Sequence, residues 1–227
     1  MVLLKAGRGF TQPDIWIIDR TGTPRVWKTW GRRPAWERIA VGRWLARREA
    51  GIMRALEGLT ECPRFLSHPH PWTIEMTLLD AEPVPETKGT DSLDARYFAR
   101  LGELLAEMHR RGINHGDLRR KNLLRAPGNP STPLLVDFTQ CLHFRPPVRW
   151  LRGVIFRQAI RIDRVTLFKL KKWYLGEDAL TEAERAELDH IPWHLKVGRF
   201  LRKRLYRPYK HWRLGKPVGR RKRSHQP

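Results

Sequence analysis

Cysteine is scarce in this chain of 227 residues, with Cys62 and Cys141 the only two. Their separation offers neither metal-ligand spacing nor a disulfide framework, which excludes a cysteine-stapled scaffold and suits a reducing, cytoplasmic setting. Long apolar runs are missing as well. No uninterrupted stretch approaches the length of a membrane span, and Val2-Leu3-Leu4 is too short for the apolar region of a signal peptide, so neither feature is expected. Internal repeats are absent. Acidic residues are the most uneven shortage: 23 Asp and Glu face 45 Lys and Arg, a formal net charge of +22, and none follows Asp189. That imbalance points to an anionic partner.

The chemistry is concentrated in His115-Gly116-Asp117-Leu118-Arg119-Arg120-Lys121-Asn122, followed by Val136-Asp137-Phe138. An Asp, an Asn five positions on and a second Asp before a Phe form a phosphoryl-transfer set. Asp117 can take a proton from an attacking hydroxyl, while the Asn122 side-chain oxygen and Asp137 can hold magnesium on nucleotide phosphates. Leu123-Leu124 and Leu134-Leu135-Val136 read as short buried strands around the turn signal Pro127-Gly128-Asn129-Pro130. Such a hairpin brings both metal ligands to one edge.

These residues resemble the catalytic loop and metal-binding Asp of the protein-kinase-like fold. The Gly after His115 is similar to the atypical branches, the RIO-type serine/threonine kinases and the bacterial lipopolysaccharide-core (Kdo/heptose) kinases; aminoglycoside and choline phosphotransferases share the His-Gly-Asp element. The resemblance implies ATP with magnesium, or manganese in its place, and two upstream parts. One is a strand lysine on the nucleotide phosphates. Asp14 to Asp19 reads as a strand, residues 20–24 as a turn and Arg25-Val26-Trp27-Lys28 as the returning strand, which makes Lys28 the candidate. The other is a helix Glu that pairs with it. Trp44 to Leu56 has helical periodicity, and its Arg-x-Glu-Ala offers Glu49, with Glu37 as the alternative. Gly7 and Gly9 stand where backbone amides would approach phosphate, although the family's third glycine is missing.

Further departures shape the expectation. Thr139 replaces the Gly after Asp137-Phe138, which leaves the metal ligand intact and puts the usual conformational flip in doubt. No Ala-Pro-Glu follows, so a long activation segment is not expected. Arg119 is either a contact for the transferring phosphoryl group or a surface Arg of a basic protein.

The expected fold is α+β: a two-lobed, kinase-like chain with a small N-lobe over residues 1–78 and a hinge at 79–92. A mostly helical C-lobe at 93–189 and a basic aromatic extension at 190–227 complete it. Ser92 to Arg111 reads as an amphipathic helix with Phe98, Leu101, Leu105 and Met108 on one face and Gly112 as its stop. His115 is expected as a structural hydrogen-bonding residue and His109 on the helix surface. Thr181-Glu182-Ala183-Glu184 signals one more helix. In the extension, Arg and Lys alternate with Trp193, Phe200, Tyr206, Tyr209 and Trp212, which suits an anionic membrane surface first and RNA second. The acceptor expected is a lipopolysaccharide-core or related saccharide, with protein Ser/Thr second and small antibiotics third. The rival from another class is a non-catalytic kinase-like module that works through its basic surface. Oligomeric state is not legible.

Overall fold

Strand-forming Ile, Val and Trp on either side of the turn near Gly22 make the first hairpin. In the computed structural model, which describes residues 1–7, 12–19, 22–87, 93–144 and 150–190, β2 (Asp14–Asp19) pairs antiparallel with β3 (Pro24–Thr29). With β1 (Val2–Lys5), β4 (Phe65–His70) and β5 (Thr73–Thr77) they form one sheet in the order β1-β2-β3-β5-β4. Lys28 therefore sits on a central strand, opposite Ile15 on one side and Ile74 on the other.

One helical stretch packs beside this sheet. It begins as α1 (Ala35–Glu37), widens into a π-helical turn at Arg38–Gly42 and continues as α2 (Arg43–Ala55). Gly42 marks the close approach, because a Cβ there would lie 2.8 Å from Cβ of the buried Trp30. The inner face of α2 buries Leu45, Ala46, Glu49, Ala50, Ile52 and Met53.

The chain crosses to the C-lobe through β6 (Glu82–Pro83), which pairs with β8 (Leu123–Ala126); β8 forms a hairpin with β9 (Asn129–Leu135). The expected long helix is α3 (Ala95–Arg110), with Phe98, Leu101, Leu105 and Met108 all buried. It starts later than the periodicity predicts because Asp94 caps it, accepting the Tyr97 amide at 2.8 Å while its other oxygen takes the Ser131 hydroxyl at 2.7 Å. Gly112 ends it in the left-handed region, at φ 76°. Then come β7 (Ile113–Asn114), its partner β10 (Leu142–His143) and α4 (Trp150–Leu175).

The chain divides into two compact units, Met1–Thr181 and Glu182–Pro227. The boundary falls before α5 (Glu182–Asp189), the helix signalled at Thr181, whereas composition places it after. Residues 191–227 of the basic aromatic extension, Gly9, residues 20–21 of the expected turn and residues 88–92 of the expected hinge lie outside the described residues.

Candidate active site

The catalytic loop is shaped by backbone demands that the sequence meets locally. Gly116 has φ 74°, and a Cβ there would come within 2.8 Å of the Gln140 carbonyl oxygen, so the His-Gly-Asp element needs its glycine. Below it, the Asp163 carboxylate of α4 accepts the amides of His115 at 2.7 Å and Gly116 at 2.9 Å. The same carboxylate lies 3.0 Å from His109 Nε2. His109 is thus not on the surface as expected. Its side chain is 9 % exposed, because a buried acid from a helix 54 residues away meets it, which helical periodicity alone does not reveal. His115 is fully buried, and burial lowers its pKa, which keeps the ring neutral and fits a structural role.

Asp117, Arg119 and Asn122 come together on this loop. Arg119 donates from its guanidinium to the Asp117 carboxylate. Asn122 Nδ2 donates to the Asp117 carbonyl at 2.8 Å and lies 3.3 Å from its carboxylate, which leaves Oδ1 for other partners. The Val136 amide donates to the Asn122 carbonyl at 3.1 Å, so the hairpin delivers Asn122 and Asp137 side by side, as its turn signal implied. Asp137 itself adopts φ 70°, a conformation uncommon outside glycine and often kept at functional sites.

The two lobes meet at Lys28. Its ammonium donates to Glu49 Oε1 at 2.7 Å, Asp137 Oδ1 at 2.8 Å and the Thr139 hydroxyl at 2.7 Å, so all three of its protons are used. Glu49, not Glu37, is the helix acid in contact with Lys28; it is 3 % exposed. Burial alone would lower the Lys28 pKa, but the charges of Glu49 and Asp137 outweigh it and hold the ammonium above its ordinary range. Burial also raises Asp137, yet the Lys28 charge and the hydrogen bonds from Lys28 and Thr139 prevail and keep it ionised well below the usual carboxylate range. Glu49 is pushed up by burial.

Thr139 is the residue the sequence reading undervalued. Beyond the bond to Lys28, its hydroxyl lies 2.5 Å from Asp137 Oδ1 and 3.4 Å from Glu49 Oε2. Arg48 secures the same segment, donating to the carbonyls of Thr139, at 3.1 Å, and Cys141. The only signal was Thr in the place of Gly. Gly7, by contrast, is engaged within the N-lobe. Its amide donates to Asp14 at 2.7 Å, its carbonyl accepts from Arg33 at 2.8 Å, and a Cβ would meet the Gln12 carbonyl oxygen at 2.2 Å. In this conformation its amide is therefore committed to Asp14.

A divalent ion fits the residues present. Asn122 Oδ1 and the ionised Asp137 are hard oxygen donors, suited to an ion that completes its shell with phosphate and water. No group of three or more His, Cys, Asp or Glu that could cage a metal occurs among the described residues.

Comparison with known proteins agrees with this geometry. Residues 86–154 match the model of the lipopolysaccharide kinase (Kdo/WaaP) family, a segment that starts just after β6 and runs through the catalytic loop and Asp137 into α4. No curated protein sequence matches the chain. Among solved structures, the Rio2 kinase of Chaetomium thermophilum in its ADP/Mg2+-phosphoaspartate complex is similar at 24 % identity and a TM-score of 0.50, over 83 % of this chain and 69 % of that one. Another structure of the Rio2 kinase from that organism gives 22 % identity and a TM-score of 0.51, over 83 % and 71 %. The fold is therefore protein-kinase-like, and together with the family match over the catalytic segment it indicates a kinase-type phosphotransferase.

Proposed function

We propose that the protein transfers the γ-phosphoryl group of ATP to a hydroxyl of a lipopolysaccharide-core or related saccharide. The observation that carries this is the junction at Lys28, where one buried ammonium joins the helix acid Glu49 to Asp137 of the catalytic hairpin. A phosphate oxygen reaching Lys28 would replace one of its three acceptors, and the ammonium would stay positioned by the others. Asn122 and Asp137 would hold magnesium, or manganese, which when bound neutralises charge on the nucleotide phosphates. Asp117, with a side chain 17 % exposed, accepts the proton of the acceptor hydroxyl. Arg119, 67 % exposed, can turn from Asp117 to the transferring phosphoryl group. The saccharide acceptor rests on the family match, whose segment contains Asp117, Asn122 and Asp137. This reading places the protein in the cytoplasm, acting at the inner face of a membrane.

Labelled-phosphate transfer to fractionated cell material tests it. Label is expected in the lipid-saccharide fraction and absent with Asp117→Asn. Label confined to protein would move the reading to a RIO-like serine/threonine kinase. Nucleotide binding without transfer to any fraction would leave a non-catalytic module.

A further inference from the structure

We propose that the outward face of the α1–α2 helix docks on an anionic membrane surface. Residues 36, 39, 40, 43, 44 and 47 are exposed along this helix, while Leu45, Ala46, Glu49 and Ala50 between and beyond them are buried. The outward set includes three large apolar side chains, Trp36 at 65 % exposure, Ile39 at 55 % and Trp44 at 58 %. The helix is already anchored on its other side by Gly42 against Trp30 and by Glu49 on Lys28, and these three side chains stay more than half exposed. Such a contiguous apolar set on a surface helix marks a contact face.

Charge identifies the partner. Arg43 and Arg47 are exposed on the same face, and no acidic group pairs with either among the described residues. Glu37 is the only acid from Pro34 to Arg48. Indole rings settle at the headgroup level of a bilayer, Ile39 enters the acyl boundary, and Arg guanidinium groups take lipid phosphates in bidentate fashion. A nucleic-acid duplex offers phosphates but nowhere to bury an isoleucine and two indoles carried on a convex helix. The face lies opposite Glu49 on the helix, so docking covers none of the side chains bonded to Lys28. Trp44 also lies under the Arg48 guanidinium at 5.3 Å, which ties the face to the segment after Asp137. Docking of this kind is independent of which acceptor is phosphorylated.

The buried cysteines make a direct test practical. Cys62 is 5 % exposed with its thiol pushed up to about 12 by burial, and Cys141 is fully buried, so a single new cysteine can be labelled selectively. The full-length chain would carry an environment-sensitive fluorophore at Ile39→Cys or, as control, at Glu103→Cys on α3. It would be mixed with vesicles of phosphatidylcholine alone or of phosphatidylcholine with phosphatidylglycerol. The label at position 39 is expected to shift to the blue on anionic vesicles only, and the control label is expected not to. Arg43→Glu with Arg47→Glu should weaken vesicle partitioning by about tenfold or more, since each cation near such a surface contributes on the order of 1 kcal/mol. Trp36→Ser with Ile39→Ser should also weaken it by about tenfold or more through lost apolar burial, with unchanged melting temperature. Cosedimentation with an unshifted label at position 39 would overturn the proposal, because binding would then run through another part of the chain. Equal binding to neutral vesicles, displacement by duplex RNA at equal phosphate concentration, or a concentration-dependent shift without vesicles would each overturn it as well. The last two outcomes assign the face to nucleic acid and to self-association.

Discussion

The two halves of the cleft are built in opposite ways. The acceptor half, Asp117 with Arg119, is assembled within one short loop and steadied there by the Asn122 amide, and its Arg is largely open to solvent. The nucleotide half, Lys28 with Glu49, Asp137 and Thr139, is drawn from separations of 21, 109 and 111 residues, and its lysine has no spare proton. A locally assembled group can vary its partner cheaply, since few other contacts depend on it. A group assembled over long range is over-determined, and removing Lys28 leaves the buried Glu49 carboxylate without its cation. Chemistry that stays the same, the handling of a nucleotide, sits in the rigid half. Chemistry that depends on the acceptor sits in the open one.

The largest effect should separate the halves completely. Asp117→Asn keeps the size of the side chain and removes the base, so turnover should fall by about two to four orders of magnitude. The thermal shift given by magnesium-ATP should match that of the unmodified protein, because Asp117 makes no bond to the Lys28 cluster. A variant that loses the thermal shift along with turnover would show that the halves are one unit.

The same contrast explains what could be read from the sequence. Asp117, Asn122 and Asp137 stand out by their spacing in one short segment, and the hairpin that joins Asn122 to Asp137 announces itself by Pro127-Gly128 between apolar runs. Strand β2 and the buried stripe of α3 were legible for the same reason, since periodicity is local. Lys28 and Glu49 were reachable only through the order of elements that the resemblance supplied, and Glu37 could not be set aside until the contact was seen. Asp163 and the hydroxyl of Thr139 gave no usable signal. A buried Asp in a basic helix and a Thr after Phe138 acquire meaning only from partners 47 to 111 residues away. The exposed face of α1–α2 gave no signal of its own, because Trp36, Ile39 and Trp44 at helical spacing read equally well as a buried stripe until their exposure is seen.

The next effect probes the over-determined half. Lys28→Met leaves the Glu49 and Asp137 carboxylates near each other with no cation, and breaking a buried pair in this way costs about 3–5 kcal/mol. Glu49→Gln should damage the same step, nucleotide binding, and the double variant should be little worse than either single one, because the pair acts as a unit. Glu37→Gln should behave as the unmodified protein. Strictly additive losses in melting temperature and nucleotide affinity would mean that the contact is incidental to nucleotide handling.

The smallest effect concerns Thr139, the member of the cluster that carries no charge. Its hydroxyl accepts from Lys28 and lies within hydrogen-bonding distance of Asp137, so it fixes the angle at which the two ions meet. Thr139→Val preserves shape and removes both bonds, leaving one Lys28 proton without its acceptor, at a cost of about 1–3 kcal/mol. Thr139→Ser restores the hydroxyl and should recover most of the loss, which a role in packing alone would not allow. Thr139→Gly separates the hydroxyl from the backbone, since the Arg48 bonds to the carbonyls of Thr139 and Cys141 remain available to it. If the hydroxyl matters chiefly by aligning Asp137, the Val and Gly variants should both raise the magnesium concentration needed for half-maximal activity and leave the rate at saturating magnesium within a few-fold of the unmodified protein. A fall in the saturated rate with an unchanged magnesium requirement would place Thr139 with the acceptor half, and the division between the two halves would have to be redrawn.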